Sequence, residues 1–163
     1  RLAELLEPFK CKIIFYDGIE FSKEELVDKF PSRSEDFINS LQQSSLNEVL
    51  KEVDIVSIHI PLLEETQNLI STDELACLKK DARIINTSRG GIVDEKALED
   101  FLNQNENAFA AFDVFEKEPA FNHPLLKLNN FYATSHLGSM TIEGVISMGI
   151  AAINGLDENR IPL

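Results

Sequence analysis

Apolar runs and amphipathic stretches alternate along the chain. Runs rich in β-branched and aromatic residues predict strands, and apolar residues at helical spacing predict helices between them. The predicted strands cover residues 12–16, 54–60, 82–87, 108–114 and 131–134, and the predicted helices cover 1–8, 45–50, 72–79, 94–102 and 141–155. The polar stretch 19–45 carries a capping-box pattern at Ser22–Glu25 and a break at Pro31. Because these strands are apolar on both faces and alternate with helices, we predict an α/β fold with a parallel sheet covered on both sides.

Composition and charge narrow the class of protein. With 163 residues, 44% of them apolar, the chain is long enough for one domain with a proper core. The net charge of −13 argues against a nucleic-acid partner and against attraction to anionic membranes. No apolar run reaches the roughly 18–20 residues that span a bilayer. Cys11 and Cys77 lack metal or redox-motif spacing, so we predict reduced thiols, no metal site and a cytoplasmic location.

The most informative stretch follows the third predicted strand. Residues 86–94 read Asn-Thr-Ser-Arg-Gly-Gly-Ile-Val-Asp and come directly after the apolar run 82–85. We expect a buried strand that ends in a tight Gly-Gly turn, with Arg89 at its carboxyl end and a helix just beyond. Ligands bind at that edge of open α/β sheets, and the planar guanidinium suits a carboxylate. The stretch therefore predicts an anion-handling site on a sheet of the dinucleotide-binding type.

Further ionisable residues follow the later strands. Asp113 ends the fourth strand, Glu118 lies five residues beyond it, and His136 follows the fifth strand by two positions. The carboxyl ends of parallel strands share one rim, so Arg89, Glu118 and His136 are expected to converge there. This trio suits proton-coupled chemistry on a carbonyl or alcohol that bears a carboxylate. Arg89 would bind the carboxylate, His136 would move the proton, and Glu118 would keep the imidazole in the right tautomer.

Each of these residues has a simpler explanation when taken singly. An arginine after a strand usually forms a surface ion pair, a histidine there is most often a satisfied surface or core residue, and a glutamate before proline usually lies in a solvated loop. Their occurrence together at equivalent strand ends favours a site. Asp17 closes the first strand present in this chain. In a dinucleotide fold an acidic residue at the end of the second strand binds the ribose hydroxyls and repels a 2′-phosphate. The alternative for Asp17 is a turn-forming Asp-Gly pair.

Four segments together resemble a known family. They are Asp54–Leu62 with Thr66 and Leu69-Ile70, then Ile85–Leu98, Ala111–Pro119 and Thr134–Thr141, and they occur in the family's order. In them the chain resembles the nicotinamide-binding domain of the D-isomer-specific 2-hydroxyacid dehydrogenases, the group that includes D-3-phosphoglycerate dehydrogenase. The resemblance implies a Rossmann-like, doubly wound parallel sheet. It also implies NAD-dependent, reversible hydride transfer between a D-2-hydroxy acid and its 2-oxoacid.

Roles for individual residues follow from the resemblance. Arg89 would bind the substrate carboxylate and carbonyl, His136 would be the acid/base, and Glu118 would pair with it. Asp113 would hold the nicotinamide carboxamide, and Asp17 would bind the ribose and favour NAD over NADP. Pro61, Thr87 and Gly138 fall where family members line the cofactor cleft, mostly through backbone. Family members usually dimerise through this domain, which implies a possible homodimer.

The chain also departs from the family pattern. It begins inside what resembles the family's first helix, so we expect the sheet to lack its first strand and the Gly-rich phosphate loop. Residues 1–155 are predicted to form a partial NAD-binding domain, and 156–163 a tail leading toward a substrate domain. Without the loop's backbone donors, residues 1–163 alone are expected to bind NAD weakly or not at all. Two other functions stay open: a non-catalytic, NAD-sensing corepressor-like module, and an inactive fragment.

Overall fold

The structure is a computed structural model that describes residues 2–158, with side chains described up to residue 155. Its helices and strands alternate over most of this length. The helices are α1 (Leu2–Leu6), α2 (Lys23–Lys29), α3 (Glu35–Ser40), α4 (Leu46–Glu52), α5 (Thr72–Cys77), α6 (Glu95–Gln104) and α7 (Ile142–Glu158). The strands are β1 (Ile13–Phe15), β2 (Leu41–Gln43), β3 (Ile55–Ile58), β4 (Arg83–Asn86), β5 (Phe109–Phe112) and β6 (Phe131–Ala133). Short 3-10 helices cover Glu7–Phe9, Glu64–Thr66 and Pro124–Lys127.

All strand pairs in the described structure are parallel, in two sheets. β1 pairs with β2, and β3 to β6 form a four-stranded sheet in the order β3-β4-β5-β6. The predicted α/β, Rossmann-like class is confirmed, since parallel strands are joined by helical crossovers. The carboxyl ends of β3, β4, β5 and β6 therefore lie side by side at one edge of this sheet.

The four-stranded sheet buries mainly one face. Val56, Ile84 and Ala110 are in register on that face, and Ile84 and Ala110 are 1% and 0% exposed. Consecutive parallel strands added in one direction place their right-handed crossovers on the same face. The opposite face carries Ile85 and Ala111, which are only partly buried, and Tyr132, which is 60% exposed. The sequence predicts a sheet that is covered on both faces. In the described structure the four-stranded sheet is covered mainly on one face.

The polar stretch 19–45 contains more structure than its pattern indicates. The capping box predicted at Ser22 is present: Glu25 N–H donates to Ser22 Oγ at 3.2 Å, and Ser22 N–H donates to Glu25 Oε2 at 2.8 Å. The stretch also contains α3 and the strand β2, neither of which the sequence predicts. The strand β2 has three residues, two of them glutamines, and so shows no clear alternation of apolar and polar residues. It is a strand because it pairs with β1.

The last two predicted helices are confirmed. Asp94 caps α6 by accepting hydrogen bonds from the N–H groups of Lys96 and Ala97, both at 2.9 Å. The helix α7 extends beyond the predicted end at 155, and most of the predicted tail lies outside the described residues. None of the helices within 2–158 is long and apolar enough to cross a bilayer.

Candidate active site

The turn after β4 is organised by Asn86, the last residue of that strand. Asn86 is 1% exposed, and its Nδ2 donates to the Arg89 carbonyl at 2.9 Å. Its Oδ1 accepts from the Ser88 N–H at 3.1 Å and from Ser88 Oγ at 3.0 Å. A short polar side chain that bonds to backbone two and three residues on holds the chain in a tight turn. The position of Arg89 is therefore fixed through its own carbonyl.

The Arg89 side chain faces an open cavity at the carboxyl edge of the sheet. The cavity has a volume of about 600 Å³, and its lining includes Arg89 and Ser88 from the turn after β4 and Pro61 from the segment after β3. The Arg89 guanidinium donates to the Ser88 carbonyl at 2.6 Å, and no carboxylate of the described residues pairs with it. Thr87 is exposed and directly follows β4, next to the cavity-lining residues. The guanidinium thus keeps donors for an anion.

Glu118 and His136 form a hydrogen-bonded pair. His136 Nδ1 lies 2.8 Å from Glu118 Oε2, although the two residues are 18 positions apart. The other carboxylate oxygen, Oε1, accepts from the Phe115 N–H at 3.0 Å. The bonds from His136 and Phe115 hold the pKa of Glu118 below its usual value, so the carboxylate is ionised near neutral pH. An ionised carboxylate only accepts, so the Nδ1 atom of His136 carries the proton.

A buried carboxylate holds the turn that carries His136. Asp113 is 7% exposed; its Oδ1 accepts from the Leu137 N–H and its Oδ2 from the Gly138 N–H, both at 2.8 Å. The Thr134 hydroxyl donates to Oδ1 as well. Burial raises the pKa of Asp113, but the three hydrogen bonds and the nearby His136 outweigh it, and the net pKa lies below the usual value. A Cβ on Gly138 would lie 3.1 Å from Oδ2, so this close approach favours glycine.

The backbone of His136 adopts an uncommon conformation. Its φ is +56°, in the left-handed region that costs energy for a side chain with a Cβ. The hydrogen bonds from Leu137 and Gly138 to Asp113 hold this turn in place. His136 Nδ1 faces Glu118, and Nε2 has no hydrogen-bond partner among the described residues. The pair borders an open cavity of about 740 Å³, which Asp113 also lines.

The Arg89 turn and the Glu118 loop touch through Gly90. A Cβ at Gly90 would lie 1.9 Å from the Phe115 carbonyl carbon and 2.3 Å from the Glu116 nitrogen. The peptide between Phe115 and Glu116 therefore packs directly on the Gly90 backbone. This contact joins the segment that carries Arg89 to the segment that carries Glu118. The Arg89 side chain and the Glu118–His136 pair line different cavities.

Asp17 lies apart from these contacts, in the exposed turn after β1. Its Oδ1 accepts from the Ile19 N–H at 3.1 Å, which is the turn-forming contact considered as the simpler alternative. The second oxygen has no partner among the described side chains and backbone groups. Asp17 can therefore form the turn through Oδ1 and contact a ligand through its other carboxylate oxygen.

Sequence reasoning missed Asn86, Thr134 and Glu95 as contributors to the site. Asn86 was visible as a polar residue at the end of an apolar strand, a place where a side chain often organises the following turn. Thr134 and Glu95 gave no local signal, since their partners are 21 residues away in sequence. No group of His, Cys, Asp and Glu side chains suited to a metal ion occurs within the described part of the chain.

The arrangement combines groups with complementary chemistry. It offers an imidazole whose Nδ1 is held by a carboxylate, a guanidinium with donors to spare, and a buried acid beside the imidazole. Such a set can bind a carboxylate, and it can exchange a proton at the free Nε2 of His136.

Known proteins are similar to this chain over most of its length. The family described as "D-isomer specific 2-hydroxyacid dehydrogenase, NAD binding domain" matches residues 1–138. A glyoxylate reductase of Thermofilum pendens is 40% identical over 155 residues, which is 94% of this chain and 43% of that protein. A D-3-phosphoglycerate dehydrogenase of Bacillus subtilis is 41% identical over 148 residues, which is 91% of this chain and 26% of that protein.

Solved structures agree with the sequence relatives. A glyoxylate reductase from Paecilomyces thermophila superposes with a TM-score of 0.81 at 28% identity, over 96% of this chain and 44% of that one. A D-lactate dehydrogenase with NAD+ from Lactobacillus jensenii superposes with a TM-score of 0.76 at 27% identity, over 94% and 46%. The chain spans less than half the length of these relatives. With the fold and the family match in agreement, the chain belongs to the NAD-binding domain family of the D-isomer-specific 2-hydroxyacid dehydrogenases.

Proposed function

We propose that this chain provides most of the cofactor domain of an NAD-dependent D-2-hydroxyacid dehydrogenase, an enzyme that interconverts a 2-oxoacid and a D-2-hydroxy acid. The observation that carries the proposal is the 2.8 Å bond between His136 Nδ1 and Glu118. It leaves Nε2 free for proton transfer at the sheet edge where Arg89 also lies. NAD supplies the hydride acceptor or donor when it is bound.

Arg89 is proposed to bind the substrate carboxylate. Its guanidinium lies in the cavity after β3 and β4, and the bond to Ser88 uses only one of its five N–H donors. The remaining donors form a planar fork that matches two oxygen atoms. Binding through the carboxylate and the neighbouring carbonyl would orient the 2-oxoacid, so we expect both binding and turnover to depend on this residue.

His136 is proposed to be the general acid and base. In reduction of the 2-oxoacid, C2 would receive the hydride from bound NADH. As the C=O π bond opens, the proton on Nε2 of protonated His136 would move to the carbonyl oxygen. In oxidation, Nε2 accepts the hydroxyl proton. The ionised Glu118 holds the Nδ1–H in both directions, so the ring keeps Nε2 toward the reacting oxygen.

The residues proposed to bind NAD fit its chemistry. Asp113 Oδ2 accepts one internal hydrogen bond and keeps a lone pair for the nicotinamide carboxamide N–H. Asp17 keeps one carboxylate oxygen for ribose hydroxyls. Pro61, Thr87 and Gly138 are proposed to line the same cleft. All of these residues follow strands at their carboxyl ends, where dinucleotides bind in such sheets.

Three finer points complete the proposal: the substrate class, the oligomeric state and the cellular location. The substrate is a small 2-hydroxy or 2-oxo acid. A homodimer is proposed on the family resemblance, and analytical ultracentrifugation tests it. A cytoplasmic location is supported by the free thiols of Cys11 and Cys77, because disulfides are rare in reducing compartments.

The experiment follows the loss of NADH absorbance with a panel of 2-oxoacids in the intact protein. We expect turnover with at least one of them, a loss of about 10²–10⁴-fold in turnover in His136→Ala, and a raised KM with lowered kcat in Arg89→Lys. Arg83→Lys is the matched control, since Arg83 begins the same strand at the opposite edge. Absence of turnover with every acid, together with absence of NADH binding, would overturn the proposal.

A further inference from the structure

A second histidine–glutamate pair lies beside the site and has no role in the proposed chemistry. Glu95 is the first residue of α6, and its side chain is 11% exposed. Its Oε2 lies 3.0 Å from His123 Nε2, and its Oε1 accepts from the Glu116 N–H at 2.7 Å. One nearly buried carboxylate thus binds two points of the loop after β5.

The tautomer of His123 follows from its contacts. His123 Nδ1 accepts from the Leu125 N–H at 3.3 Å and so caps the 3-10 helix Pro124–Lys127. A ring nitrogen that accepts carries no proton, so the proton of the neutral imidazole is on Nε2 and is donated to Glu95. The ring also lies against Phe115, with the ring centroids 5.4 Å apart. His123 is therefore held by a hydrogen bond at each ring nitrogen and by contact with the Phe115 ring.

Glu118 lies between the two points that Glu95 binds. Glu116 precedes it by two residues, and His123 follows it by five. Phe115, whose ring contacts His123, donates its N–H to Glu118 Oε1 at 3.0 Å. The peptide between Phe115 and Glu116 is packed on Gly90 and is also hydrogen-bonded to Glu95. The loop is thus attached on both sides of Glu118.

From these contacts we propose that Glu95 and His123 are positioning residues: they anchor the loop 115–123 to α6 and so hold Glu118 within hydrogen-bond distance of His136. Neither touches the reacting atoms. The catalytic consequence rests on the proposed function, whereas the structural consequence is measurable without turnover. Loss of either anchor is expected to separate Glu118 from His136.

The tautomer of His136 shows whether Glu118 is still hydrogen-bonded to it. The carboxylate of Glu118 favours the form with the proton on Nδ1, whereas an unpartnered histidine in water favours the form with the proton on Nε2. The chain has three histidines, so two-bond ¹H–¹⁵N correlation spectra of the ¹⁵N-histidine-labelled chain resolve each ring. Spectra are recorded at about pH 8, above the ordinary pKa of histidine. We expect His136 in the Nδ1–H form and His123 in the Nε2–H form.

Four variants test the proposal. Glu118→Gln defines the spectrum of His136 without its carboxylate partner. Glu95→Ala is expected to move His136 most of the way to that spectrum. His123→Asn is expected to move it in the same direction, because asparagine can still cap the 3-10 helix but is too short to reach Glu95. Glu99→Ala is the matched control: Glu99 lies on the same helix and contacts Lys96 on the surface, so His136 is expected to be unchanged.

The outcomes separate this proposal from the proposed function. If Glu95→Ala and His123→Asn keep His136 in the Nδ1–H form, the positioning role is wrong. His123→Asn decides the matter if Glu95→Ala does not fold. In the intact enzyme, Glu95→Ala is expected to lower kcat by about tenfold or more with little change in substrate KM, since Arg89 is retained. A shifted tautomer with unchanged kcat would support the positioning role and count against the proposed catalytic role of Glu118.

Discussion

Gly90 lies at the contact between the two segments that carry the candidate site, and Gly90→Ala tests how closely they depend on each other. The new Cβ would lie 1.9 Å from the Phe115 carbonyl carbon and 2.0 Å from its oxygen, whereas real Cβ contacts essentially never fall below 3.0 Å. The two segments must therefore move apart by roughly 1 Å. Both contacting atoms belong to the backbone, so no change of side-chain rotamer relieves the overlap.

The cost of this change can be bounded. Overpacking in a well-packed region typically costs about 1–3 kcal/mol. Because the overlap involves backbone on both sides, we expect Gly90→Ala to lower the free energy of unfolding by about 3 kcal/mol, at the upper end of that range. A displacement of 1 Å at a catalytic group can cost about 10²-fold in rate. The intact enzyme is therefore expected to lose kcat even at temperatures where the variant is folded.

Urea unfolding followed by circular dichroism measures the stability. Gly149→Ala is the matched control, because Gly149 lies in α7 and its added Cβ meets nothing within 4 Å. Alanine is favoured over glycine in a helix by about 0.5–1 kcal/mol, so the control is expected to be equally stable or more stable. If Gly90→Ala stayed within about 1 kcal/mol of the wild type and kept His136 in the Nδ1–H form, the close packing inferred at this contact would be refuted.

Three further substitutions address single contacts. Asn86→Ala removes three hydrogen bonds at about 0.5–1.5 kcal/mol each, so urea unfolding should show a loss of about 2–4 kcal/mol; a loss below 1 kcal/mol would contradict its organising role. The folded-state pKa of Asp113 lies below its usual value of 3.8, so the stability it contributes is present above that pH and is lost as the pH falls through the folded-state pKa. The stability difference between wild type and Asp113→Asn, measured by urea unfolding across pH, should accordingly shrink below pH 3.8, and a difference that grows in acid would show the sign to be wrong. Asp17→Ala should weaken NAD binding by about ten- to hundredfold and bring NADP closer to NAD, as measured by calorimetry on the intact protein; an unchanged ratio would leave Asp17 as a turn residue only.

The fold was largely predictable where the hydrophobic pattern was strong. The strands β3, β4 and β5 and the helix α6 all lie within predicted segments or extend them by one or two residues, because their apolar residues recur with the period of the element. The strand β2 was not predictable, since Leu41–Gln43 has one apolar residue and becomes a strand only by pairing with β1. The partly exposed face of the four-stranded sheet also escaped prediction, because the apolar strands did not show which face the crossovers cover.

The candidate site also has a part that was predictable from the sequence and a part that was not. Arg89, Glu118 and His136 were recognisable because each follows a predicted strand within a turn marked by glycine or proline. Their shared edge follows from parallel pairing alone. Asn86, beneath the Arg89 turn, bonds to residues two and three positions on and was visible as a polar residue at the end of an apolar strand. Glu95, beneath the Glu118 loop, bonds to Glu116, which is 21 positions away. A side chain whose partner lies about twenty residues away gives no periodic signal.

The order of residues along the chain determined which chemical groups this protein has and, through the alternation of strands and helices, the edge of the sheet where they meet. Tertiary structure decided which atoms of those groups are engaged. It placed the Glu118 carboxylate on Nδ1 of His136, left Nε2 of that ring free, and enclosed the Asp113 carboxylate among three donors. Hydrogen bonds depend on distance and direction at the scale of tenths of an ångström, and only the packing of segments remote in sequence sets those quantities.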